Sequence, residues 1–240
     1  MDRNTLESSQ ARYWSQAGIC EGAMSIIPSI PGIMVFSASF GALAAQRGLP
    51  FLEVMLMSAF AYAGLAQFLA VEMWSPNITV LLALTILSTT FVVNLRLVFS
   101  SAALQPWLAG APAWQVYPSL FLLTMSNWIL TTRYKNDRGR DVGYLFGSGL
   151  MAWLVWIIAT GAGHLSGSLI SQPKQYAIDL IPPLFFIVLL APTYKSPRKA
   201  VPWLLAGCSA LLLQKCIDGH WYIVLGVLAG AVAGALIPDD

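Results

Sequence analysis

Apolar residues along this chain come in long unbroken blocks, with little of the every-second-residue alternation of a half-buried strand. Blocks run from Gly18 to Gln46, Phe51 to Met73, Ile78 to Leu104, Val116 to Thr132 and Gly143 to Ser168, then Tyr176 to Ala191, Ala200 to Gln214 and Trp221 to Leu236. A bilayer's hydrocarbon core of about 30 Å takes roughly 20 helical residues. A membrane barrel would instead alternate lipid-facing and lumen-facing positions. The pattern therefore predicts an all-α, polytopic helical membrane protein with about eight transmembrane segments. Residues 1–17 read as a polar cytoplasmic lead-in, and 18–237 as a single transmembrane helical domain.

The third block has a polar side. At about 100° per residue, Thr85, Thr89, Arg96 and Ser100 share one stripe, and Thr90, Asn94 and Ser101 a second beside it. A charge within a span is costly and usually faces a bundle interior or a watery cavity. Arg96 is eight residues from Leu104, so two readings stay open: an inward, substrate-facing role, or snorkelling to the near headgroups. Small residues mark other faces: Ala59, Ala63, Ala66 and Ala70; Gly147, Gly163 and Gly167; Gly226, Gly230 and Gly234.

Composition agrees with a membrane chain. Of 240 residues, 57% are hydrophobic and 10% charged, and mean hydropathy is +0.68. A net charge of +2 gives no reason to expect nucleic acid. Cys20, Cys208 and Cys216 have no paired spacing, so neither a disulfide framework nor a metal site is expected, and no cofactor is implied. With eight crossings and the N-terminus inside, Arg3, Arg12, Arg133, Lys135, Arg138, Arg140, Lys195, Arg198 and Lys199 lie inside. Arg47, Lys174 and Lys215 lie outside; this asymmetry places both termini in the cytoplasm.

Polar groups expected inside the hydrocarbon are Glu21, Gln67, Asn94, Arg96, Asn127, His164 and Asp179. They form no catalytic motif, which argues against an enzyme. Two proline-rich interruptions, Pro28 to Gly32 and Leu180 to Pro183, lie one in each half of the chain. Broken helices expose backbone groups that are tolerated at depth only where they line a cavity or bind a ligand. The alternative at each is a plain kink.

Four stretches, in order, resemble the AzlC family of branched-chain amino-acid exporters. Met57-Ser-Ala-Phe-Ala-Tyr-Ala-Gly-Leu-Ala-Gln-Phe68 looks like the family signature, and Pro28 to Ala44 resembles its first Pro/Gly-rich segment. Asn94-Leu-Arg96 matches its Asn-Leu-Arg motif, and Asp179 with the run Pro182 to Leu190 resembles its Leu-Asp-Phe-type segment. The similarity covers roughly residues 18 to 237. It implies the large subunit of a two-component secondary transporter in the cell inner membrane, exporting branched-chain amino acids with a small AzlD-type membrane subunit. The positions it carries over are Pro28, Pro31, Gly32, Gly64, Gln67, Phe68, Asn94, Arg96 and Asp179. One departure stands out: the family's Leu-Thr-Asp-Glu is here Leu123-Thr124-Met125-Ser126, without either carboxylate.

Together these features predict an efflux carrier for an apolar amino acid. Arg96 or free N–H groups near Pro28 would hold the carboxylate, and Asp179, Glu21 or free carbonyls the ammonium group. Phe68, Met57 and Tyr62 would line an apolar pocket. The competing expectation is a channel-like or scaffold membrane subunit without transport activity of its own.

Overall fold

A computed structural model describes residues 14–75, 77, 79–169, 197–215 and 221–236. Asp179, Pro182, Pro183 and the whole sixth apolar block lie outside the described residues. The described chain is helical, without strands. It divides into two compact units, one of residues 1–67 and 94–171, the other of 68–93 and 172–240.

The first unit is built on two long helices lying side by side. One begins as α1 (Gln16–Ser25), passes through a single 3₁₀ turn (Ile27–Ser29) and continues as α2 (Ile30–Gln46). The other is α8 (Val142–Leu169). They run parallel. Gly18 lies against Asp141, Gly22 against Tyr144, Gly41 against Thr160, and Ala38 against Gly163. A Cβ at Gly22, Gly41, Gly147 or Gly163 would overlap a backbone carbonyl of the facing helix, so these four glycines let the backbones touch. In lipid, where burial between helices brings little hydrophobic gain, such close van der Waals contact is what holds spans together.

The starts of the pair are tied. Ser15 caps α1 by accepting from Gly18 N–H (2.8 Å). Asp141 receives the Ser15 hydroxyl, the Ser15 N–H at 3.2 Å and the Gly143 N–H at 2.9 Å. A carboxylate among N–H groups at the start of α8 is also favoured by the helix dipole. This end defines a near face of the bundle. At the far face, His164 Nε2–H donates to the Leu49 carbonyl (2.9 Å) and its ring meets Phe51 edge-on. His164 is therefore a packed corner residue.

Between Leu49 and Asp141 the chain holds α3 (Phe51–Phe60), α4 (Gly64–Glu72), α5 (Val80–Leu108), α6 (Ala113–Phe121) and α7 (Met125–Arg138). The end of α5 is at the near face: Trp107 Nε1–H donates to Gly139 O (2.9 Å), and Arg140 to Pro106 O (3.0 Å). There Leu104, Trp107, Leu108, Leu123, Val142 and Leu145 form a buried cluster.

The block Val116 to Thr132, expected as a fourth crossing, is instead a re-entrant hairpin. α6 starts at the near face, where Trp114 meets Trp14 (5.5 Å between ring centroids), and α7 returns there, Tyr134 stacking on Tyr144 at 4.0 Å. Its nine and 14 residues give roughly 14 and 21 Å, each short of a bilayer core. α3 starts at the far face, where Phe51 meets His164, and ends against Trp153 near the middle of α8.

In the second unit, α9 (Pro197–Leu213) and α10 (Trp221–Leu236) pair antiparallel. Gly226 lies against Ala206 and Ala210, and Gly230 against Pro202 and Ala206. The Gly226–Gly230–Gly234 stripe thus meets a helix of the same chain.

Candidate functional site

The proline-rich segment at Pro28 is not unwound. Pro28 and Pro31 each fall in the first positions of a helical segment, where a missing N–H removes no intrahelical bond, and Ser29 N–H still reaches Ile26 O at 2.8 Å. Pro28, Pro31 and Gly32 are exposed. The proline run thus changes the helix to a single 3₁₀ turn, and two non-helical breaks lie at Ala61–Ala63 and Leu122–Thr124.

The first break separates α3 from α4 within the motif around Gln67. Tyr62 carries it with φ 35°, a left-handed conformation rare for an aromatic residue, and is buried. On the α3 side, Trp153 Nε1–H donates to the Ala59 carbonyl (3.1 Å), capping a helix end that lipid could not satisfy. Across the break, Gln67 Nε2–H reaches Ser58 Oγ at 3.4 Å. Gln67 is 1% exposed and its Oε1 has no hydrogen-bond partner. Trp156 lies over Gly64, where any Cβ would collide with its ring, and its Nε1–H is likewise buried without a partner. Phe36, Phe40 and Tyr62 surround that indole at centroid distances of 5.6, 6.2 and 6.3 Å.

The second break is the hairpin tip. Thr124 and Asn127 form a capping box: Thr124 N–H donates to Asn127 Oδ1 (2.7 Å), and Asn127 N–H lies 3.5 Å from Thr124 Oγ1. Asn127 Nδ2–H also satisfies the Leu122 carbonyl left free at the end of α6 (2.8 Å). Met125 and Ser126, which replace the two acids, are the first residues of α7, so their N–H groups have no intrahelical acceptor.

α8 brings the two breaks into register. Gly149 touches Leu122 and Asn127, Trp153 holds Ala59, and Trp156 covers Gly64. These are the eighth, twelfth and fifteenth of the helix's 28 residues, so both breaks lie near its middle. At about 100° and 1.5 Å per residue, the three positions fall within about 60° of one another and about 10 Å of axis. Two half-helix tips, one from each face, meet one side of α8 at mid-depth.

The remaining candidates are placed differently. Phe68 is buried and Asn94 half-buried, whereas Arg96 is exposed on this chain. On the polar stripe of α5, Thr85 and Thr89 are buried and Ser100 half-buried; Ser100 O accepts from Trp128 Nε1–H at 3.0 Å. Met57 is half-buried, and Glu21 half-buried near the near face. Asp179 lies outside the described residues. Sequence reasoning missed Ser58, Trp153 and Trp156; only the Thr124-x-x-Asn127 spacing signalled a break.

A family comparison bears on this geometry: the model of the AzlC protein family matches residues 28–170, more than half of the chain. The chain belongs to the AzlC family. The matched segment contains both breaks and the Asn94–Arg96 motif. An uncharacterized membrane protein of Helicobacter pylori strain J99 is 26% identical over 208 residues, covering 86% of this chain and 88% of its own. One from Archaeoglobus fulgidus is 26% identical over 222 residues, covering 88% and 91%. No solved structure matches. With its long apolar helices, this family member is an all-α membrane protein.

Proposed function

We propose that this chain is the large subunit of a two-component secondary transporter that exports branched-chain or similar apolar amino acids across the inner membrane. The observation that carries the reading is the meeting of two half-helix tips at the middle of α8. Each tip offers a helix N-terminus with free N–H groups, and at the first the amide oxygen of Gln67 is unpaired as well. A zwitterion leaving water needs both charges compensated, and discontinuous helices at mid-membrane answer that need in many carriers. Tyr62, Phe36 and Phe40 beside the first tip suit an apolar side chain.

Arg96 takes a further place in this scheme. It is the seventeenth of 29 residues in α5 and is exposed on this chain, a position that lipid disfavours by a few kcal/mol. A small AzlD-type subunit covering that face would shield it. Arg133, Lys135 and Arg140 lie toward the near face with Ser15, which supports a cytoplasmic reading of that face by the positive-inside rule.

The test is export of labelled leucine from loaded cells, with and without the small subunit. Saturable export that needs both subunits supports the reading, and equal efflux from cells lacking this chain refutes it. Half-helices entering from opposite faces also suit a channel-like pore. A channel would pass substrate without saturation.

A further inference from the structure

We propose that the α3–α4 break is the site that reads the amino-acid head group, with Trp156 binding the carboxylate and Gln67 the ammonium. This rests on the transport reading above and assigns the chemistry within it.

Two independent features at this break favour an anion. Gly64, Leu65 and Ala66 open the nine-residue α4, and Gln67 N–H is the group that first reaches back to a carbonyl, that of Ala63 at 2.9 Å. The three preceding N–H groups and the helix dipole therefore favour negative charge at the opening. Trp156 adds an indole N–H, on a residue 5% exposed, that donates to nothing in this structure. The far edge of its six-membered ring lies against Gly64, so the same side chain packs on the helix start. Buried polar atoms are nearly always paired, so this donor is open to an acceptor group.

The third feature has the opposite polarity. Gln67 uses Nε2 to hold Ser58, which fixes its amide head at the break, and leaves Oε1 as a buried acceptor without a partner. An ammonium group donates and never accepts, so it matches that oxygen. Donors and an acceptor left without partners at one break match a carboxylate and an ammonium on the same carbon. Phe36, Phe40 and the Tyr62 ring around Trp156 leave only apolar surface for the rest of the ligand.

The experiment measures binding to the full-length chain in lipid nanodiscs, using four probes of one shape: leucine, leucinamide, 4-methylpentanoate and 3-methylbutylamine. Leucine should bind at least about tenfold more tightly than each of the others, the usual worth of a hydrogen bond to a charged group. Trp156→Phe keeps the ring and removes the N–H. It should weaken leucine and 4-methylpentanoate about tenfold and leave 3-methylbutylamine unchanged. Gln67→Leu should weaken leucine and leucinamide and leave 4-methylpentanoate unchanged. If wild-type protein binds leucine but neither substitution shows this crossed pattern, the head-group assignment is wrong and the transport reading stands. If wild-type protein binds none of the four, alone or together with the small subunit, both fall. If Trp156→Phe fails to fold by its melting curve, the Gln67→Leu series decides alone.

Discussion

Replacing Asn127 with alanine probes the hairpin tip on which the architecture depends. The side chain is fully buried and serves two backbone groups that no helix satisfies, Thr124 N–H at 2.7 Å and Leu122 O at 2.8 Å. Losing a buried partner costs about 1–3 kcal/mol per orphaned group. Thr124 is half-buried, so water recovers part of its share, and the expected loss is about 2–4 kcal/mol. For a chain of 240 residues, about 2–4 °C accompanies each kcal/mol. The apparent melting temperature in detergent should therefore fall by roughly 5–15 °C. Ser126→Ala, next door and outside the capping box, serves as the control and should stay within about 0.5 kcal/mol of wild type. An Asn127→Ala midpoint matching that control would refute the idea that this side chain holds the break open at depth.

Other perturbations test the frame that carries the breaks. Gly163→Val places side-chain carbons into the Ala38 backbone, and separating α2 from α8 should leave little folded, membrane-inserted protein by size-exclusion profile. Asp141→Ala removes the carboxylate that joins the starts of α1 and α8; at about 1 kcal/mol per cap it should lower the melting midpoint by several degrees, with export intact. Arg96→Ala should abolish export while the protein remains in the membrane. Arg96→Lys should rescue it poorly, because an ammonium does not reproduce the planar two-pronged guanidinium.

The sequence showed the helical class and the packing faces because both depend on composition and period. Gly147, Gly163 and Gly167 read as small faces, and each meets the facing helix closely. The breaks were hidden for a physical reason. Proline is the usual sign of a broken helix, yet Pro28 and Pro31 occupy early helical positions where no donor is lost. The interruption at Ala61–Ala63 has no proline and depends on partners far along the chain: Trp153 for Ala59 O, and Trp156 against Gly64. Apolar length likewise could not separate one crossing of about 17 residues from two short helices that turn back at Thr124. The polar stripe of α5 was legible as a stripe. Which part of it is covered depends on which neighbour reaches each depth, so Thr89 is buried and Arg96 exposed.

Accessibility at the hairpin tip tests the central claim most directly. With Cys20, Cys208 and Cys216 replaced, Ser126→Cys places one thiol at the tip, beside the middle of α8. The account predicts that a small water-soluble thiol reagent labels this position in membranes and that leucine slows the labelling. A Ser126→Cys thiol that stays unreactive from both sides of the bilayer, with or without leucine, would contradict a water-lined passage where the two half-helix tips meet.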